Sequence, residues 1–166
     1  NILDFNKIES DKLVLEQIPF SLSGFMHNIC SGMRIKASEK QLDFVLDMDQ
    51  QLERVNIISD PTRLSQLIYN LAGNAIKFTD KGSVTVKAAC VARRANEVEV
   101  LFSIQDTGVG IHPDKHEAIF ESFSQAESHI TRTHGGTGLG LAIVRQILVL
   151  FSSHIQLESS PGNGAR

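Results

Sequence analysis

Residues Leu64 to Phe78 read LSQLIYNLAGNAIKF, and their apolar positions recur with the period of a helix. At about 100° per residue, Leu64, Leu67, Ile68, Leu71, Ala72, Ala75 and Phe78 gather on one side as a core-facing stripe. Gln66, Asn70, Asn74 and Lys77 gather on the other, with Gly73 among them. A merely solvated face favours Glu, Lys and Arg, because amides are poorer helix formers. Two carboxamides one turn apart, with a Lys a turn further on, offer oxygen to a hard cation and charge to a phosphate. The glycine leaves room for a ligand to approach the backbone. The pattern points to a metal–polyphosphate site on one face of a core helix.

The 166 residues suffice for one well-cored domain plus a short appendage. A hydrophobic fraction of 42% argues against disorder, and a formal charge of −3 leaves no footprint for nucleic-acid binding. Cys30 and Cys90 lie in apolar stretches and read as buried free thiols in a reducing compartment, with a disulfide left open. The longest apolar run, around Ile143–Phe151, is too short to span a membrane and is broken by Arg145 and Gln146. No signal peptide opens the chain. The expectation is a soluble, cytoplasmic domain, with anchoring of a parent protein in the inner membrane left open.

Residues 1–10 resemble the last turns of a helix, with Ile2, Leu3, Phe5 and Ile8 apolar and no cap before them. KLVLEQIPF alternates as a short strand ending at Pro19. Ser21 or Ser23 caps a helix running to about Lys40. DFVLDMD is the next strand, and Asp60-Pro61 starts the amide-bearing helix, which is expected to end near Asp80–Gly82. Val84, Val86, Ala88, Cys90 and Ala92 share one face of a strand, as do Val98, Val100, Phe102 and Ile104 of a second, joined by a hairpin turn at Arg93–Asn96. A helix is expected at Asp114–Phe120, a long loop at Ser124–Gly138, a helix at Leu139–Phe151, and a closing strand at HIQLESS. The fold class is an α/β two-layer sandwich: one mixed, mostly antiparallel sheet with helices on one face.

Strand parity carries Asp106 onto the inward face after Ile104, where a carboxylate is costly unless paired. In DTGVG, Gly108 and Gly110 permit tight turns, and the carboxylate suits an exocyclic amine such as that of adenine. An Asp capping a following helix is the competing reading, and both stand on the pentapeptide alone. GGTGLGLAIV, from Gly135 to Val144, opens a helix whose free N–H groups suit an anion. It is neither a P-loop nor a Rossmann fingerprint. A hinge before a core helix is the alternative, and Arg132 just upstream favours phosphate. No histidine cluster has metal-ligand spacing, and no nucleophile elbow occurs. Phe120 and Phe123 read either as a site wall or as core anchors.

Together, in this order and spacing, these motifs resemble the catalytic, ATP-binding domain of sensor histidine kinases, in the superfamily shared with gyrase B, MutL and Hsp90-type chaperones. NLAGNAIKF is similar to the N box, DTGVG to the G1 box, IFESF to the F box and GGTGLGL to the G2 box. The resemblance spans essentially the whole chain, and FSQAE with TRTHGGTGLGLAI is most similar to the hybrid subclass, whose members usually carry receiver domains. It implies the Bergerat, or GHKL, ATP-binding fold over residues 11–166, preceded by the end of a dimerisation and phosphoacceptor helix over residues 1–10. The phosphoacceptor box is missing, and GNGAR stops where the family continues into another strand, so the C-terminal strand is expected to be truncated.

The resemblance also implies roles. Asn74 is expected to coordinate Mg2+ with Asn70 supporting it, Lys77 to contact phosphate, and Asp106 to accept from the adenine amine. Gly108, Gly110, Ile111 and Phe123 shape the pocket. Arg132 and the backbone of Gly135, Gly136, Thr137, Gly138, Leu139 and Gly140 close over the phosphates. Asn70, Lys77 and Arg132 carry the transfer chemistry. ATPases of the superfamily place a Glu where Asn70 stands; a carboxamide cannot act as a general base. Transfer of the ATP γ-phosphoryl to a histidine in a preceding domain is therefore expected over hydrolysis, with a regulatory nucleotide-binding module as the other alternative. Expected partners are the phosphoacceptor domain, a receiver domain and a second copy in a homodimer, with no nucleic acid.

Overall fold

A computed structural model describes residues 14–121 and 139–166. The Ser21 hydroxyl accepts from the Gly24 N–H at 3.2 Å, which selects Ser21 over Ser23 as the cap. Strand β1 (Ile18–Ser21) leads into that cap, and helix α1 (Leu22–Glu39) follows. Strand β2 (Asp43–Met48) and strand β3 (Asn56–Ser59) come next. Helix α2 (Pro61–Phe78) has Pro61 in its first turn, where a missing N–H costs nothing. Strands β4 (Ser83–Arg93) and β5 (Val98–Asp106) form the expected hairpin, closed by Arg94 N–H donating to the Glu97 carbonyl. A bulge after Cys90 sets Ala92 opposite Glu99, and so off the face it was expected to share with Val84, Val86, Ala88 and Cys90. Helix α3 (Gly140–Leu150) is the last described element.

β4 pairs parallel with β2 and antiparallel with β5, giving a three-stranded sheet of order β2-β4-β5. The inner face of β4, through Val84, Val86 and Ala88, is fully buried. Met26 and Met33 of α1, Ile68 and Ala72 of α2, and Val144 and Ile147 of α3 belong to the same core. A sheet covered on one face by helices is the expected sandwich. Cys30 and Cys90 are free, and burial pushes the Cys30 thiol up to about 11 despite Arg34 nearby, so it stays protonated and unreactive.

The structure corrects the following expectations. The strands make two sheets, because β3, not anticipated, pairs antiparallel with β1 away from the other three strands. Its four residues sit directly before a helix cap, too short to display a period. β1 is confined to Ile18–Ser21, with no strand over residues 14–17. It runs through Pro19 instead of ending there, which a two-stranded ribbon tolerates because both strands are edges. Asp114–Phe120 forms no helix but two 3-10 turns, Pro113–Lys115 and Ala118–Phe120. Seven residues are too few to repay helix nucleation, and the His116 ring instead bonds the Ile111 carbonyl at 3.3 Å. HIQLESS pairs only at its end, where Ser159 bridges Ala165 and Glu158 exchanges backbone bonds with Arg166. The α2 helix also stops at Phe78, since Thr79 is already extended.

Asp60 anchors the start of α2. Only 3% exposed, it accepts from the Arg63 N–H at 2.9 Å and the Glu16 N–H at 3.1 Å. Asp60→Ala removes the cap and leaves two part-buried amides without their acceptor, so it is expected to cost about 2 kcal/mol and lower the melting temperature by roughly 4–8 °C by calorimetry.

Candidate functional site: the α2 amide row and the loop after β5

α2 turns Leu64, Leu67, Ile68, Ala72 and Ala75 into the core and leaves Gln66, Asn70, Asn74 and Lys77 half-buried along the opposite side. Gln66 is already engaged by the Arg63 guanidinium at 2.9 Å, which separates it from the other three. The Asn70 side-chain oxygen lies 3.3 Å from where a Cβ on Gly140 would stand, so the amide row meets the N-terminus of α3. A side chain at Gly140 would press on that amide. Gly73 opens onto free space, with no described atom within 4 Å of a Cβ built there. The Lys77 ammonium rests 4.7 Å above the Phe78 ring.

Asp106 reaches the inner face by strand register: it stands opposite Val84, which is wholly buried. It caps no helix, which removes the competing reading of this residue. Its Oδ1 accepts from the Gly108 N–H at 2.8 Å and the Ala165 N–H at 3.3 Å. Burial raises its pKa above the ordinary 3.8, and the two amides pull back against that rise. Its second carboxyl oxygen has no hydrogen bond among the described residues and remains an open acceptor beside the end of α2.

The loop after Asp106 is held closely. A Cβ on Gly108 would run into the Phe78 carbonyl and stand 2.9 Å from the Thr79 hydroxyl. Gly110 has φ +71 and faces the Ser160 carbonyl, a conformation and a space that admit no side chain. Ile111 N–H donates to the Ser159 hydroxyl at 2.8 Å, which in turn donates to the Gly164 carbonyl at 2.7 Å. The α2 C-terminus is equally well satisfied. Thr79 Oγ1 donates to the Ala75 carbonyl at 2.7 Å, Val109 N–H to Phe78 at 3.3 Å, and Lys40 Nζ to Ile76, Lys77 and Thr79 at 2.8–2.9 Å.

Asn70, Asn74, Lys77, Asp106, Gly108, Gly110, Ile111 and Gly140 thus belong to α2, the loop packed on its end, and the helix start it meets. Leu139 is 3% exposed and part of the core, so its side chain faces away from any ligand. Phe123, Arg132, Gly135, Gly136, Thr137 and Gly138 lie outside the described residues. Sequence reasoning missed Lys40, Thr79 and Ser159; of these only Thr79, a β-branched residue directly after the helix, carried a local signal. Among the described residues no group of three His, Cys, Asp or Glu side chains stands ready for a metal. The Asn70–Asn74 row offers amide oxygens only, which fits a hard cation that takes most of its ligands from phosphate and water.

The layered fold is that of histidine kinase catalytic domains. The catalytic domain of histidine kinase ThkA superposes with a TM-score of 0.72 at 25% identity, covering 90% of this chain and 90% of that one. Full-length ShkA in complex with AMPPNP superposes with a TM-score of 0.83 at 31% identity, covering 99% of this chain and 32% of that one. The chain belongs to the histidine kinase-, DNA gyrase B-, and HSP90-like ATPase family, whose model matches residues 59–166. Similar full proteins include the sensor histidine kinase GacS of Pseudomonas protegens, 38% identical over 164 residues. The signal transduction histidine-protein kinase BarA of Escherichia coli is 37% identical over 165 residues. Either match takes in 99% of this chain, which spans 18% of the relative's length. Among the described residues no helix is long and apolar enough to cross a membrane.

Proposed function

We propose that this chain is the nucleotide-binding catalytic domain of a hybrid sensor histidine kinase, moving the ATP γ-phosphoryl to a histidine of a preceding domain in a homodimeric protein. Supporting partners are that phosphoacceptor domain and a receiver domain. The observation that carries the reading is the junction of α2 with the loop after β5. It sets the open oxygen of Asp106 at one end of a row that continues through Lys77, Asn74 and Asn70 to the N-terminus of α3.

Each position has a chemical task there. Asp106, its first oxygen fixed by Gly108 and Ala165, receives the adenine amino group on the second. Gly108, Gly110 and Ile111 bring backbone against the base. Lys77 neutralises phosphate charge, and Asn74 with Asn70 would hold Mg2+. When bound, Mg2+ supplies charge neutralisation across the phosphates. The start of α3 at Gly140 adds helix-terminal N–H groups to the phosphate end. Arg132 and the Gly135–Gly138 run would close over the phosphates, and Phe123 the base. Asn70 cannot take a proton from water, so the site binds and orients the nucleotide for an acceptor brought by another domain.

Titration calorimetry tests this. Asn74→Ala is expected to weaken Mg-ATP binding by about tenfold or more, the effect of losing a metal ligand or its orienting partner, while adenosine affinity stays unchanged. Equal Mg-ATP affinity in the variant would remove Asn74 from the metal site. Joined to a phosphoacceptor domain, the chain is expected to yield acid-labile phosphohistidine; binding without transfer would favour a regulatory module, and hydrolysis by the chain alone an ATPase.

A further inference from the structure

The last four carbonyls of a helix have no partner within it, and buried ones must be satisfied from outside. In α2 these belong to Ala75, Ile76, Lys77 and Phe78, and three separate segments serve them. Thr79 closes the first from within the same turn. The loop after β5 closes the last, through Val109 N–H. The middle two, and the Thr79 carbonyl beyond them, all converge on one ammonium, Lys40 Nζ, from the end of α1. Lys40 is two-thirds screened from solvent, and the one carboxylate within ion-pair range of it among the described residues, Asp80, is 3.9 Å away and largely exposed. A cation at this end also opposes the negative pole of the helix dipole.

The consequence reaches the site. The turn that Lys40 grips carries the Lys77 side chain and the Phe78 carbonyl. Gly108 is packed against that carbonyl, and Asp106 bonds Gly108. We propose that Lys40 is a positioning residue of the nucleotide site: its ammonium fixes the carbonyl end of α2 and thereby sets the phosphate-facing Lys77 and the base-facing Asp106 loop relative to each other. The inference rests on the nucleotide-binding reading above. Because one grip serves both halves, losing it weakens the base and phosphate subsites together, whereas Asn74→Ala weakens only the phosphate side.

The test compares Lys40→Met, Lys40→Gln and Lys40→Arg with Leu52→Ala in the 166-residue chain. Leu52 is fully buried just after the end of β2, where Met48 pairs with Ala88 midway along β4, and it belongs to neither α2 nor the loop after β5, so it serves as a stability control. Adenosine and Mg-ATP affinities are measured by calorimetry below the melting range of every variant. Lys40→Met is expected to lose about tenfold for both ligands, with Lys40→Arg within about threefold of the parent, as for an orienting partner replaced by a like donor. Leu52→Ala should bind both normally despite its lower melting temperature. If Lys40→Met does not fold, Lys40→Gln carries the comparison with Lys40→Arg. A Lys40 variant that melts lower yet binds like Leu52→Ala overturns the positioning role. A parent chain that binds neither ligand overturns the nucleotide site itself, a separate outcome.

Discussion

Asp106→Asn is expected to weaken adenosine and Mg-ATP alike by roughly 10- to 100-fold, the cost of about 1–3 kcal/mol when a buried hydrogen bond is replaced by a mismatch. The variant keeps an oxygen for the Gly108 and Ala165 amides. What it changes is the outward atom: an amide N–H then faces the adenine amine, donor against donor. The same variant separates function from stability. Burial raises the Asp106 pKa from 3.8, so the folded chain holds a proton at pH values where the unfolded chain has already released it. Stability therefore falls as pH rises through that interval, and above it the buried charge is a standing cost. Asp106→Asn escapes that cost. At pH 7 its melting temperature is expected to match or exceed the parent's, and the parent gains on it as pH falls towards 4. A variant that melts lower at pH 7 and still binds adenosine would show a purely structural carboxylate.

Gly110→Ala carries the largest expected stability effect. The residue sits at φ +71, and its new methyl would meet the Ser160 carbonyl and stand 3.2 Å from the Gly164 carbonyl. Backbone strain and a clash with main chain rather than a flexible side chain together cost about 3 kcal/mol, lowering the melting temperature by roughly 6–12 °C. The Gly162 N–H donates to the Val109 carbonyl at 2.7 Å, so the C-terminal turn and the site loop are expected to loosen together. Hydrogen exchange should show Val109, Ile111 and Gly162 losing protection while the amides of β4 keep theirs. Gly162→Ala is the matched control, since φ +79 strains it equally but open space surrounds its Cβ; a loss as large there would leave strain alone as the cause.

Local periodicity made most of this fold legible. The stripe of α2, the cap at Asp60-Pro61 and the β4–β5 hairpin follow from neighbours three, four or two residues apart, and each is found. Ile76, however, joins the buried side of α2 while Phe78 stays half-buried, and a bulge moves Ala92 off its expected face. The inward placement of Asp106 was legible for the same reason, since strand parity persists from Ile104. The failures share a physical origin. β3 has too few residues to show a period, and HIQLESS has the alternation of a strand but finds pairing only at Glu158 and Ser159. A strand exists only where a neighbour supplies its ladder.

The sequence by itself determined which chemistry the chain can present: amides and a lysine on one helical face, a carboxylate at the end of an apolar strand, glycines where backbone must turn. Those are properties of residue type and spacing. Only the tertiary structure decided how they are held. Lys40 capping a helix that starts more than twenty residues later, Ser159 bonding Ile111, and Ala165 completing the hydrogen bonds of Asp106 all join segments far apart in the chain. A hydrogen bond across such distances has no local period to betray it, because it arises from the folded path of the backbone and the need to satisfy each buried polar group.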